Sequence, residues 1–429
     1  MARSVCDNPP DQPRPRHAHL VELTLAAEET ISDQAILTYF CAPHSYTGED
    51  VVEISCHGSP LLLQKLLGQL LELETVRLAE PGEFTRRAYE NDKLDLAQAT
   101  AVGDLISAHS EAALRASSRQ LSGELSSIVQ EIRERILGLR SEVEANLDFS
   151  DQEDVELIDR KTLNDELQKV ETKLNELVEE GQVGELLTSG CHAAIVGPPN
   201  VGKSSLFNLL LQKDRAIVTT QPGTTRDVLR ENISISGIPI TLHDTAGIHD
   251  APDKIEAEGV RRSETALQDV DLALFLLEAN RKLESEAHQV NQMLKEHRTP
   301  TLLVLNKIDL KQKITNEDVE AELQRPVDSK ISVLERRGIE GLEENIVRKI
   351  SGRELQTPNP IVTHTHQINQ LKQTITHLSQ AQKNLVNEVE ETLIAEDLRL
   401  ASRQLGKITG EISSEDILDE IFSSFCIGK

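Results

Sequence analysis

The chain has 429 residues, too many for one ordinary hydrophobic core, so two or three domains are expected. Its 45 Lys and Arg stand against 72 Asp and Glu, a formal net charge of −27, which argues against binding nucleic acid through a broad basic face and leaves any RNA contact to a partner or a local patch. Aromatic residues are only 2% and Trp is absent, so the cores must be built from Leu, Ile, Val and Ala.

Prolines and polar residues in "MARSVCDNPPDQPRPRHAHL" predict a disordered leader up to about Leu20, without the apolar stretch of a secretory signal. Residues 20–90 mix the strand-like runs "LVELTLA", "AILTYFCA" and "DVVEISCHG" with a helical run, "PLLLQKLLGQLLELE". A small α+β domain over residues 1–91 is the reading. From Leu94, apolar residues recur at helical spacing with few breakers, giving a helical segment over 92–188. Between residues 189 and 352 the strands "HAAIVG", "ISISGIPITLHD", "DLALFLLEA" and "TLLVLNKID" alternate with helical runs, the pattern of an α/β domain with a mainly parallel sheet. After the break "TPNP", Ile368, Leu371, Ile375, Leu378, Leu385, Val389 and Leu393 mark a second helical segment within 353–429. The expected architecture is one helical bundle made from both helical segments, with the α/β domain inserted between them; a free coiled coil is the alternative.

No apolar run approaches the roughly 18 residues of a spanning helix, so no membrane partner is expected. The cysteines, Cys6, Cys41, Cys56, Cys191 and Cys426, are odd in number and form no C-x-x-C pair. That argues against a disulfide framework or a zinc knuckle and for a reducing, cytoplasmic setting.

Chemistry concentrates in the α/β segment. "GPPNVGKSS" matches G-x-x-x-x-G-K-[ST] from Gly197 to Ser204, after an apolar strand and before a helix. Asn200, Val201, Gly202, Lys203, Ser204 and Ser205 would wrap a phosphate with backbone N–H groups, Lys203 reaching the β- and γ-phosphates and Ser204 holding Mg²⁺. In "HDTAGI", Asp244 would sit beside Mg²⁺, followed by Thr245, Ala246 and the γ-phosphate-sensing amide of Gly247. "NKID" supplies Asn306, Lys307 and Asp309; a carboxylate there accepts two hydrogen bonds from guanine N1–H and N2–H₂, a pair adenine lacks. "GTTRD" offers a Mg²⁺-binding threonine from a mobile loop, and Ser332, Val333 and Leu334 of "ISVL" stand where a last base-contacting loop belongs. Four motifs in this order define a GTP-binding domain. The hydrolytic parts are less standard. Ile248 occupies the place where Ras-like domains carry a water-orienting Gln, and no cis arginine finger is visible. Either hydrolysis is very slow or other groups do both jobs; Glu256 is close enough in sequence to serve, its plain alternative being an exposed helix-surface Glu.

These motifs resemble translation-factor-like bacterial GTPases. "YTGEDVVEISCHGSP", "PGEFTRRAYENDKLDLAQA" and the terminal "FCIGK" narrow the resemblance to the MnmE, or TrmE, family of tRNA modification GTPases, over about residues 14–429. The resemblance implies an N-terminal folate-binding and dimerisation domain, a helical domain and an inserted Ras-like G domain. It implies a potassium-activated GTPase acting as a homodimer with an FAD-dependent, MnmG-like flavoprotein in a heterotetramer or larger assembly. The implied product is an aminomethyl or carboxymethylaminomethyl group at C5 of the tRNA wobble uridine, its carbon drawn from 5,10-methylene- or 5-formyl-tetrahydrofolate. Carried over residue by residue, Asn200, Thr219, Gln221 and Thr224 would bind K⁺, and Ser204 and Thr225 Mg²⁺. Thr220, Pro222 and Gly223 complete the GTP-contacting loop, and Glu256 orients the attacking water. Glu53, Lys93 and Lys429 would contact folate, and Cys426 would take part in the modification. The family's opening strand and glycine-rich turn, with its folate-contacting arginine, have no counterpart here, which implies either impaired folate binding and N-domain dimerisation or a truncated start; weak folate binding by this chain is the expectation. His249 replaces a common arginine, Val333 a usual alanine, and His57 reads as a packed or folate-side histidine rather than a metal ligand.

A regulatory GTPase switch in ribosome assembly is the competing function, but no KH-type G-x-x-G loop or basic tail accompanies the G domain. The thiol four places from the end has the position of a prenylation box, yet Lys429 is not a usual final residue and no polybasic run precedes it. Instead Ile417, Leu418, Ile421, Phe422 and Phe425 lie at near-helical spacing, so a terminal helix is expected to dock and aim the tail.

Overall fold

The computed structural model describes residues 4–7, 9–10, 12–25, 31–148, 158–213, 230–244, 270–352, 360–387, 389–412, 415–423, 425 and 428. In chain order the helices are α1 (Pro60–Leu71), α2 (Glu83–Glu90), α3 (Leu96–Ser107), α4 (Glu111–Leu121), α5 (Glu124–Asp148), α6 (Arg160–Ser189), α7 (Lys203–Lys213), α8 (Ser285–His297), α9 (Asn316–Leu323), α10 (Ile339–Ser351), α11 (Thr365–Val386), α12 (Glu391–Thr409) and α13 (Glu415–Ser423). The chain divides into two compact units: Met1–Gly103, Leu121–Gln130 and Leu405–Lys429 form one; Asp104–Gln120 and Glu131–Gln404 form the other.

The first unit holds an antiparallel sheet, β1 (Cys6–Asp7), β2 (Ala18–Leu25), β3 (Ile31–Phe40) and β4 (Val51–Ser55), in that spatial order. Alternation turns Val21, Leu23 and Leu25 with Ala35 and Leu37 onto one face, where Leu66 of α1 covers them. Ser59 starts that helix as its N-cap, with Pro60 at the first helical position. The leader departs from its reading. Val5 and Cys6 are buried against this core, and β1 pairs with β2 through Cys6↔Leu23 and Asp7↔Glu22. Burial of two apolar side chains outweighs the prolines that follow them.

A second core in this unit joins the terminal helix to α2 and α3. Leu418 and Phe422 of α13 pack on Leu96 and Ala99 of α3, with Tyr89, Ile421 and Phe425 at the edge. The expected apolar stripe of the terminal helix therefore docks as read. Gly82 permits the close approach: its φ is +67°, and a Cβ there would lie 2.8 Å from the Phe422 carbonyl oxygen. Arg86 and Asp419 pair at 2.8 Å beside it.

The second unit contains the α/β sheet, with β5 (Cys191–Val196), β6 (Arg230–Ile235), β7 (Ile238–Asp244), β8 (Leu272–Glu278), β9 (Thr301–Asn306) and β10 (Ser329–Lys330) in the order β10-β9-β8-β5-β7-β6. All neighbouring pairs are parallel except β6–β7. The segment "ISISGIPITLHD", read as one strand, is a hairpin. Ser236 and Gly237 both take positive φ, 52° and 87°, which matches the strand twist at a two-residue turn. β8 and β9 are buried along their whole length, as a parallel sheet covered on both faces requires. Leu272, Leu274 and Leu276 face one apolar core; Ala273, Phe275 and Leu277 face the other. The strand order turns around β5, so the crevice beyond the carboxyl ends of β5, β8 and β9 is the place for a ligand.

The same unit packs α6 on α11 and the residues leading into it. A Cβ on Gly184 would lie 1.8 Å from the Val362 carbonyl oxygen, and one on Gly181 2.8 Å from Ile368 Cγ1. Thr188 Oγ1 donates to the Thr363 carbonyl at 2.9 Å. Next to this contact lies a buried polar cluster. Gln120 Nε2 donates to Gln367 Oε1 (3.1 Å) and Ile361 O (3.2 Å), and the Thr363 N–H donates to Gln367 Oε1 (3.1 Å). The second helical segment is not continuous: α11 stops at Val386 and α12 starts at Glu391, with Ile394 rather than Leu393 turned inward.

Candidate nucleotide site

The phosphate loop leaves β5 at Gly197. Gly197, Asn200 and Gly202 have φ of 151°, 64° and 101°, a backbone that only small or turn-forming residues adopt readily. Close approach demands glycine twice over. A Cβ on Gly197 would lie 2.2 Å from the Leu276 carbonyl oxygen, and one on Gly202 2.5 Å from Asn306 Nδ2. α7 then begins at Lys203, with Ser204 and Ser205 exposed in its first turn. Its N-terminal N–H groups and its dipole make this helix head attractive to an anion. Lys203 Nζ folds back to donate to the Gly197 and Pro198 carbonyls, both at 2.8 Å.

Asn306 ends β9 and is 2% exposed. Its Nδ2 donates to the Val201 carbonyl at 2.9 Å, and its Oδ1 accepts the Val333 N–H at 3.2 Å. One amide thus holds the phosphate loop, the loop after β9 and the loop after β10. Lys307, with φ 64°, donates from Nζ to the Asn200 carbonyl at 2.7 Å. The fully buried Ser332 donates its hydroxyl to Asp309 Oδ1 at 2.5 Å and accepts the Glu335 N–H at 3.1 Å, so the Asp309 carboxylate is oriented before any ligand arrives. Leu334 stands 85% exposed at the tip of that loop. Asp244 closes β7 beside Ile195 of β5.

The structure thus brings Asn200, Val201, Lys307, Asp309, Ser332 and Val333 together, with Ser204 and Ser205 on the helix head. Thr219, Thr220, Gln221, Pro222, Gly223, Thr224, Thr225, Thr245, Ala246, Gly247, Glu256, Cys426 and Lys429 lie outside the described residues. Of the thiols near the sheet, Cys191 is inert: burial, then the neighbouring Asp271, push it up to about 12. Sequence reading missed Glu278, which ends β8 and pairs with Lys307.

In the first unit, Glu53 is exposed on β4, and Lys93 donates to the Pro43 carbonyl at 3.2 Å. Asn91 Nδ2 bonds the Thr47 carbonyl at 2.9 Å, which holds the two loops together. His57 is not packed: it is exposed and bonds Asp33 Oδ1 through Nδ1 at 2.7 Å. Among the described residues, no group of three or more His, Cys, Asp and Glu could hold a metal ion, and no helix is long and apolar enough to cross a membrane.

A mainly parallel sheet with a glycine-built phosphate loop on a helix head, closed by an N-K-x-D loop, defines a P-loop GTP-binding protein. Residues 96–426 match the family model of the MnmE helical domain, and residues 1–93 that of the GTP-binding protein TrmE N-terminus. The chain belongs to the MnmE (TrmE) family. It is 40% identical over 421 residues to the tRNA modification GTPase MnmE of Aquifex aeolicus, covering 97% of this chain and 91% of that protein. It is 42% identical over 425 residues to the protein of the same name from Dichelobacter nodosus, covering 97% and 90%. Among solved structures, the G domain of the T. maritima FeoB iron transporter aligns with 37% of this chain and 98% of its own at 25% identity, with a TM-score of 0.29.

Proposed function

We propose that this GTP hydrolase of tRNA modification acts at C5 of the wobble uridine, together with an FAD-dependent, MnmG-like flavoprotein. The observation that carries the guanine site is Asn306, whose one amide fixes the phosphate loop and the loop after β10 at once. Lys203 then exchanges its two loop carbonyls for β- and γ-phosphate oxygens. Asp309, held by Ser332, accepts guanine N1–H and N2–H₂.

The exposed Ser204 hydroxyl on the helix head suits a hard cation, with Thr225 as the second protein ligand; Mg²⁺ there would neutralise charge on the phosphate oxygens. Asn200, in a left-handed conformation with its carbonyl tied to Lys307, presents its side chain for K⁺ alongside Thr219, Gln221 and Thr224. Potassium would supply the positive charge that other GTPases take from an arginine. Glu256 orients the water. The G domain, residues 189–352, is inserted between helical segments 92–188 and 353–429.

The N-terminal domain, residues 1–91, is the dimerisation domain and a weak binder of tetrahydrofolate, the one-carbon donor. Exposure of Glu53 and Lys93 suits such contacts, Lys429 adding another and Cys426 the thiol. The test is mass spectrometry of wobble nucleosides in tRNA from a strain lacking this gene. The expected result is loss of the C5 substituent, restored by the wild-type chain and not by Lys203→Ala. Unchanged wobble uridines in the deletion strain contradict the reading.

A further inference from the structure

Glu278 is a carboxylate at the end of a strand that is otherwise wholly apolar and buried. It is itself only 8% exposed and lies opposite Asn306 in the β8–β9 register. A buried carboxylate is costly unless it is paired. Its Oε1 pairs with Lys307 Nζ, and its Oε2 is 3.2 Å from Arg281 Nε at the rim. The same Lys307 ammonium donates to the Asn200 carbonyl at 2.7 Å. One cation therefore bridges the end of β8 and the phosphate loop. Without an acceptor behind it, a flexible lysine has many other places to put its charge.

We propose that Glu278 is a positioning residue of the guanine site. It acts through Lys307 to hold the Asn200 carbonyl, and so the phosphate loop, in its binding geometry before nucleotide arrives. The gain is preorganisation: ordering that would otherwise oppose binding is completed in the free protein. Among the described residues Glu278 forms ion pairs with Lys307 and Arg281, and it is Lys307 that reaches the phosphate loop, so the effect of Glu278 on that loop should vanish when Lys307 is removed. This inference rests on the reading of the Lys307 loop as a guanine site.

The test is a double-substitution cycle on the full chain, with GDP dissociation constants and off-rates measured for wild type, Glu278→Gln, Lys307→Met and the pair. Glu278→Gln should weaken GDP about tenfold, mainly through a faster off-rate. The pair should bind within about twofold of Lys307→Met alone. A purely structural Glu278 would lower affinity further on the Lys307→Met background, and that additive result overturns the proposal. So does wild-type affinity in Glu278→Gln. Should Glu278→Gln fold poorly, Glu278→Asp, which keeps the charge but draws it back from Lys307, takes its place in the cycle with the same expected and overturning results. A wild-type chain that does not prefer GDP to ADP refutes the guanine reading instead, a distinguishable failure.

Discussion

Asn306 and Val201 are 105 positions apart, yet Asn306 Nδ2 lies 2.9 Å from the Val201 carbonyl oxygen, with the other end of the same amide on the Val333 N–H. Asn306→Ala leaves a backbone carbonyl and an N–H without this partner. We expect the loss of roughly 2 kcal/mol of nucleotide affinity, about thirtyfold in Kd. Isothermal titration with GDP reads it directly, and an affinity within about twofold of wild type would remove Asn306 from its bridging role.

Two glycines of the helical region should respond oppositely to alanine. Gly184 of α6 has the Val362 carbonyl 1.8 Å from where a Cβ would stand, so Gly184→Ala must part α6 from the chain before α11, at a cost of about 1–3 kcal/mol or more. Gly138 lies within α5 with nothing within 4 Å of that position. Gly138→Ala should stabilise by about 0.5–1 kcal/mol, because alanine loses less backbone freedom in a helix. Urea unfolding of both variants separates the two effects.

His366, largely buried in the first turn of α11, has its pKa lowered from 6.5 to about 4 by burial and then by His364, with Asp104 opposing. The unfolded chain takes up this proton at a higher pH than the folded chain. The contribution is therefore fully present above pH 6.5 and is lost as pH falls towards 4. Between pH 7 and pH 5 the wild type should lose about 2 kcal/mol that His366→Gln does not. Urea midpoints at the two pH values measure it; parallel losses in both proteins would contradict the assignment.

The proposed hydrolytic groups predict a kinetic split. Replacing K⁺ by Na⁺ should lower GTP turnover by at least about tenfold, and Glu256→Ala should lower it by about a hundredfold while GTP affinity stays near wild type. A parallel loss of GTP binding in Glu256→Ala would make that residue structural, and equal rates in the two cations would take Asn200 out of the potassium site.

The phosphate loop was legible because its chemistry needs residue types that little else needs. Gly197 and Gly202 each abut a neighbouring group at a distance that excludes a Cβ. β8 and β9 were legible as continuous apolar runs. The hairpin at Ser236 and Gly237 was missed although "SG" between alternating residues carried the signal. β1 was missed because two residues have no period. Glu278 could not be found: at the end of "LALFLLE" it reads as the polar limit of a strand, and its partner is 29 positions away. The buried cluster of Gln120, Thr363 and Gln367 was equally hidden, since its members come from segments more than 240 positions apart.

The most direct test of the guanine site is nucleotide preference in the purified full chain, wild type and Asp309→Asn. Asp309 accepts two donors from guanine; an asparagine there still accepts N1–H but offers an N–H to the C2 carbonyl of xanthine. The wild type should hydrolyse GTP and leave ATP and XTP, while Asp309→Asn should prefer XTP. Equal turnover of ATP by the wild type, or an undiminished GTP preference in the variant, would contradict the site described.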